Sequence, residues 1–237
     1  MSRHNTRMKS SHRPSAAGGS ILGLFAGQIR PMPGDGRATA IFKQPVSGRV
    51  RVGWEGLETD VQADRRFHGG TEKALHHFPL ENHDRLARQF PGLAEQFVAG
   101  AIGENISTAG IDEASICIGD IYAFGSARIQ VGQPRTPCWK IDAKFGREGI
   151  SQHIADQGIA GWYYRVLATG EVQAGDAFTL LERNADAVSL EELWQASRMR
   201  RPQPGALQRI ADTPGLNEVW RQKVLQRIDW LRRNNAT

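Results

Sequence analysis

Short apolar segments broken by glycine, proline and aspartate run from Ile21 to about Glu182, a rhythm that predicts a β-rich domain. The strand candidates are residues 21–29, 38–43, 48–53, 115–124, 127–132, 162–168 and 177–182. Gly125-Ser126 separates two of them and reads as a two-residue hairpin turn, with glycine where φ must be positive. Two stretches switch to helical spacing. Residues 79–90 place Leu80, His83, Leu86 and Phe90 on one face, with Pro91-Gly92 as the stop. Residues 147–157 form a second short helix closed by Gly158. Neither helix alternates with strands in a βαβ rhythm, which argues against a doubly wound parallel sheet. A strongly bent sheet or barrel with inserted helices is expected instead.

The pattern changes after Arg183. Ser189 and Glu192 form a capping box ahead of Leu190, Leu193 and Trp194, and Pro202 and Pro204 end that helix. Residues 205–212 and 216–233 give two further amphipathic segments. The predicted organisation is a tail over 1–20, a mainly β domain over 21–183 and a small C-terminal three-helix domain over 188–237. The helices read as packing devices and are assigned no chemistry.

A chain of 237 residues is long enough to bury a sizeable core without disulfide staples. Its formal charge of +5 is carried at the ends. Residues 1–20 hold four basic and no acidic side chains, and residues 188–237 hold nine basic against five acidic. The body between them has 17 basic and 20 acidic side chains, which argues against a nucleic-acid-binding surface. The first 20 residues lack the apolar content of a signal sequence or an amphipathic helix, so a disordered tail and a cytoplasmic address are expected. Apolar runs are too short to span a bilayer, and no membrane association is expected.

Two cysteines cannot supply a four-cysteine iron–sulfur cluster or an all-cysteine zinc site. Cys117, in Ser115-Ile116-Cys117-Ile118, reads as a buried strand residue. Cys138 is different. It follows Gln133-Pro134-Arg135-Thr136-Pro137, where two prolines predict a rigid loop, and Arg135 and Lys140 flank the sulfur with positive charge that favours a thiolate. A second segment, His68-Gly69-Gly70-Thr71-Glu72-Lys73-Ala74-Leu75-His76, pairs glycines that let backbone N–H groups approach an anion with a lysine that neutralises it. A zinc site among His68, His76, His77 and His83 is disfavoured, because Pro79 interrupts them and no HExxH helix is present. Gly103-Glu104-Asn105-Ile106-Ser107 offers a carboxylate, an amide and a hydroxyl in one turn.

In this order, and with Gly119-Asp120 and Gly161-Trp162-Tyr163 between and after them, these motifs make the chain resemble the MOSC family, named for the C-terminal domain of molybdenum-cofactor sulfurases. The similarity covers about residues 21–183, and the C-terminal helices are similar to the extension of small bacterial members linked to hydroxylaminopurine resistance. The resemblance implies a β-barrel-like fold that binds the molybdenum cofactor (molybdopterin), with Cys138 as the molybdenum ligand. It implies that Arg135, Lys140 and Lys73 hold the pterin phosphate, while His68, Gly69, Gly70, Glu104 and Asn105 shape the pocket. The implied activity is reduction of N-hydroxylated compounds, such as hydroxylaminopurines, to amines. No Gly-x-Gly-x-x-Gly segment offers a dinucleotide site, so a separate electron-donating reductase is the expected partner. Two other readings compete: a cofactor or sulfur carrier acting through a persulfide on Cys138, and a Cys–His hydrolase with His68 as base. The sequence does not decide between a monomer and a homodimer.

Overall fold

The computed structural model describes residues 18–65 and 69–234. Most of the predicted tail, residues 1–17, and the predicted pocket residue His68 lie outside this range. In chain order the strands are β1 (Gly19–Ser20), β2 (Gly23–Gly27), β3 (Arg30–Pro31), β4 (Ala38–Thr39), β5 (Lys43–Pro45), β6 (Val50–Gly53) and β7 (Gly56–Leu57). They continue with β8 (Leu75–His77), β9 (Ile106–Ser107), β10 (Ile121–Phe124), β11 (Ala127–Pro134), β12 (Trp162–Ala168), β13 (Gly170–Val172) and β14 (Ala177–Glu182). The helices are α1 (Leu80–Gln89), α2 (Trp139–Phe145), α3 (Ile150–Gln157), α4 (Leu190–Arg198), α5 (Pro204–Asp212) and α6 (Glu218–Asn234).

Nine strands form one sheet in the order β1-β14-β10-β11-β12-β8-β9-β2-β5. β1 and β2 lie near opposite ends of that order, yet only Ile21 and Leu22 connect them. From Ser20 to Gly23 the chain reaches at most ~11 Å, so the sheet must curl until its ends approach each other. The backbone stitches this seam from both sides. Ile21 N–H donates to Asp176 O at 3.0 Å, beside β14, and Leu22 N–H donates to Ser107 O of β9 at 3.0 Å. Gly19 and Ser20, assigned to the tail by sequence, are therefore strand residues paired with Phe178 and Ala177. The expected barrel-like architecture is present as a curled half-barrel.

The alternation in the β10–β11 hairpin turns Tyr122, Phe124, Ala127, Ile129 and Val131 inward, in the register the Gly125-Ser126 turn predicts. The interior is aromatic. Tyr122 stacks on Phe178 with centroids 4.4 Å apart, and Trp162 and Tyr164 complete the filling. The predicted strand over 115–124 is ordered as β only from Ile121. Its first half makes a single bridge, Cys117 to Ser189.

Val188, Leu190, Leu193, Trp194, Leu207, Trp220 and Ile228 join the same apolar cluster as the barrel residues, so the C-terminal helices share the barrel's core. Ser189 Oγ accepts from Glu192 N–H at 3.1 Å, which is the predicted N-cap of α4. The contact is close at Gly119. Its φ is +83°, and a Cβ there would stand 2.3 Å from Pro214 O. Beside it the fully buried Asp120 takes a two-pronged hydrogen bond from Arg183, at 2.8 and 2.5 Å. Gly119-Asp120 thus clamps barrel to helices and stays away from the cleft described below.

A second apolar cluster, including Phe78, Leu86, Phe97, Ile102, Ile141, Phe145 and Ile154, packs α1, α2 and α3 together with the loops beside β8 and β12. It fixes α2 from behind, and with it the cysteine at that helix's N-terminus. Among the described residues no helix is long and apolar enough to cross a membrane.

Candidate functional site

β11 runs on through Gln133 and Pro134, which pair with Tyr163 and Trp162 of β12. Proline is tolerated there because it ends the strand, where no further ladder bond is lost. Arg135 N–H then donates to Gly161 O at 3.0 Å, and after Thr136 and Pro137 the chain enters α2 with Cys138 as its N-cap. The predicted rigid loop is thus only four residues long, held between a strand and a helix. Cys138 is half-buried and unpaired, while Cys117 is buried, its thiol pushed up to about 11 by burial and then by the Asp120 carboxylate. Only Cys138 is placed for chemistry.

Cys138 lines a cleft beside the half-barrel. Lys73, Asn105, Arg135, Cys138 and Lys140, five of the residues singled out from sequence, line it together. Arg135 is the most unusual of them. Its side chain is buried, with 5% of the residue exposed; Nη2 donates to Ile102 O at 3.2 Å, and Nη1 is buried with no protein partner. A buried guanidinium N–H without an acceptor costs about 1–3 kcal/mol, so such a group persists where something else is meant to satisfy it.

Around it the groups are fixed in defined protonation states. His76 is held well below the usual imidazole range by burial and then by the Arg135 charge, so its ring is neutral at pH 7. Burial raises the Tyr163 phenol, which keeps its proton. Asn105 Oδ1 accepts from His76 N–H at 3.0 Å, and its amide donates to Asp60 Oδ2 at 2.8 Å and Phe25 O at 3.1 Å. Asp60 in turn takes Lys43 Nζ at 2.5 and 2.6 Å in a pair that is almost fully buried. Lys43, Asp60, His76 and Tyr163 all line the cleft and were not assigned to the site from sequence. His76 and Tyr163 lie inside quoted motifs and were legible there; nothing in the runs around Lys43 and Asp60 distinguishes them.

Two expected pocket residues, Glu104 and Gly70, do not line the cleft. Glu104 is fully buried and turned inward: its carboxylate accepts from Gly100 N–H at 2.5 Å, Ile102 N–H at 3.0 Å and His83 Nε2 at 2.8 Å. It pins the turn whose Ile102 carbonyl receives Arg135, so it positions the site without lining it. Gly70 caps the short turn Thr71–Lys73 and does not line the cleft. His68 is outside the described residues. His77 is a core residue, bonded to Tyr164 Oη at 3.0 Å and Thr108 Oγ1 at 2.8 Å, and burial lowers it to about 3.

Past Cys138 the cleft continues into an outer trough that shares Lys73, Cys138, Lys140 and Tyr163 with the inner part. Gly69 and Trp139 lie here, and the far wall is Asn217, Val219, Trp220 and Lys223, at the start of α6. The C-terminal helices, assigned only packing from sequence, therefore reach the site. Lys73 registers this: its ammonium is lowered by burial and then by repulsion from Lys223.

Residues 64–179 match the model of the MOSC domain family. The chain is 37% identical over 204 residues to Protein YiiM of Escherichia coli, spanning 86% of this chain and 90% of that protein. The crystal structure of YiiM from Geobacillus stearothermophilus superposes with a TM-score of 0.74 at 30% identity, covering 88% of this chain and 98% of the other. A protein of Gibberella moniliformis named Reductase is 35% identical over 172 residues, 72% of this chain but 30% of that longer protein.

Proposed function

The chain belongs to the MOSC domain family, and on that premise we propose that it is a molybdenum-cofactor-dependent oxidoreductase that reduces N-hydroxylated compounds to amines. One observation carries the reading: a buried arginine with an unmatched N–H lines the same cleft as a half-buried, unpaired cysteine. A soft thiolate suits molybdenum, and a guanidinium with a free N–H suits a phosphate oxygen. The donor set therefore fits the cofactor. Cys138 is the proposed metal ligand, and Arg135, Lys140 and Lys73 are the proposed phosphate partners.

When bound, the cofactor supplies two-electron oxygen-transfer chemistry. The chain supplies position and protons. Cys138 is held by α2, whose Ile141 and Phe145 are locked in the cluster behind it. Tyr163 keeps an O–H donor in the cleft and neutral His76 adds a hydrogen-bonding ring, both suited to a polar N–OH group. Converting R–NH–OH to R–NH2 consumes two electrons and two protons and releases water. The electrons come, in this reading, from a separate reductase or an artificial donor. Both cysteines are unpaired, which suits the reducing cytoplasm proposed as its location. The relative named Reductase supports the reaction class.

The test is molybdenum content and turnover of protein made in a host that synthesises the cofactor. Wild type should carry about one molybdenum per chain and reduce an N-hydroxylated purine with a chemical reductant. Cys138→Ser and Arg135→Glu should lose the metal while remaining folded. Full metal and turnover in the Cys138 variant overturns the ligand assignment. Stoichiometric metal without turnover, accompanied by cyanide-releasable sulfur on Cys138, overturns the reductase in favour of a persulfide carrier.

A further inference from the structure

We propose that Trp139 sets the substrate preference of the cleft: its indole stacks on the planar ring of an aromatic N-hydroxylated substrate and favours it over aliphatic hydroxylamines. The assignment rests on the oxidoreductase reading for the identity of the substrate, but the binding test below needs no turnover.

The indole is held from two parts of the fold. Trp139 is the first residue of α2 and directly follows Cys138, and Ile141 and Phe145 anchor that helix in the cluster behind it. The Arg37 guanidinium lies 3.7 Å over the ring. That guanidinium is itself fixed: its Nε and Nη2 donate to the two Asp35 carboxylate oxygens at 2.6 Å each, and the Arg37 N–H donates to Asp35 Oδ1 at 3.1 Å. The Arg37 carbonyl closes the β3–β4 hairpin by accepting from Met32 N–H at 2.9 Å, and Met32 is buried in the same cluster as α2. At the start of the hairpin the Arg30 guanidinium lies 3.5 Å over the Phe42 ring. Hairpin and helix together set the indole's orientation before a ligand arrives, which lowers the cost of ordering it on binding.

With one face taken by Arg37, Trp139 still keeps 38% of its surface exposed, and it lines the outer trough. An open indole is a platform for a planar heterocycle, because stacking needs a flat π face and no particular hydrogen bond. The rest of the trough suits the same guest. Pro134, Pro137, Val219 and Trp220 line it as well, and Val219 is 61% exposed, so the far wall offers an apolar surface to the ring. An aliphatic hydroxylamine has no π face and gains nothing from the indole. Cys138 lines both the trough and the inner cleft, so a ring held on the next residue lies at the passage between them, beside the proposed metal ligand. The cofactor's own pterin is the competing ring, and metal content separates the two.

The experiment follows the indole N–H signals of full-length protein by NMR during titration with adenine and, as a non-planar control, cyclohexanol. Loss of one signal in Trp139→Phe assigns that of Trp139. Adenine should shift the Trp139 signal and bind about tenfold more weakly to Trp139→Ala, with Trp139→Phe in between, while cyclohexanol leaves the signal in place. In molybdenum-loaded protein the preference for hydroxylaminopurine over N-methylhydroxylamine, as a ratio of kcat/KM, should fall about tenfold in Trp139→Ala through a higher KM for the purine. A Trp139 signal that adenine does not move or that cyclohexanol moves equally, the same adenine affinity in wild type and Trp139→Ala, or an unchanged preference overturns the assignment. Loss of molybdenum from the Trp139 variants also overturns it, because the ring stacked there would then be the pterin. Wild type that binds adenine on Trp139 but reduces no N-hydroxylated compound leaves the stacking site standing and removes the oxidoreductase reading instead.

Discussion

Glu113 should make the protein less stable as pH rises from about 4.5 to 7, and Glu113→Gln should abolish that dependence. The carboxyl is buried, and desolvation raises it from its ordinary 4.5 to about 7 even though Asn82 Nδ2 and Gly161 N–H both donate to Oε1 at 2.9 Å. Those two bonds favour the ionised form but do not offset burial, and Asp112 nearby adds to the rise. The native carboxyl therefore holds its proton where the unfolded one has lost it. Its contribution is complete below pH 4.5 and is lost as pH climbs through 7. At 1.36 kcal/mol per pH unit the loss is about 3 kcal/mol. Glutamine keeps an oxygen for both donors and carries no charge. At pH 4.5 the variant should match wild type, and at pH 8 it should exceed it by about 2–3 kcal/mol, or about 5–10 °C in melting temperature for a chain of this size. Urea unfolding at five pH values between 4.5 and 8.5 measures the difference. A gap that stays constant with pH, or a wild type more stable than the variant at pH 8, refutes the buried-proton account. The position matters for the cleft, because Gly161 passes the constraint on through its carbonyl to Arg135 N–H at 3.0 Å.

Alkylation of the native protein at pH 8 should modify Cys138 and spare Cys117, which is 3% exposed with its thiol near 11; intact-mass measurement showing two modifications contradicts this. Asp120→Asn should cost about 3–5 kcal/mol in chemical unfolding, since it breaks a buried pair and leaves Arg183 without its anion, and a loss below 1 kcal/mol would remove the clamp assigned to it. Glu104→Gln should cost about 2 kcal/mol or more because one amide oxygen replaces a carboxylate serving several donors, with a fall in molybdenum retention that follows the loosened turn; unchanged stability with unchanged metal would show that the turn needs no anchor.

Local pattern alone determined the elements with enough length to show a period. The β10–β11 hairpin, β12, β14, α1 and the capped helix α4 fall where alternation, helical spacing or the Ser189 cap places them, because each side chain's face is set by its own neighbours in sequence. Motif order likewise brought out Lys73, Asn105, Arg135, Cys138 and Lys140, which converge on one cleft. Tertiary structure decided what pairing partners alone can specify. β1, β8 and β9 have two or three residues each, too few for a period, and exist because the curled sheet supplies their hydrogen bonds. α2 carries no signal of its own, because seven residues after a proline are too short to nucleate by themselves; Ile141 and Phe145 hold it through burial. Glu104 looked like a pocket carboxylate, and its inward turn follows from amides and an imidazole that only the folded chain assembles. Lys223 carried no signal at all. It lies 150 residues from Lys73, and the bonds of Asn217 to Glu72 and Gly132, with Trp220 and Val224 buried in the core, bring α6 to the rim of the cleft.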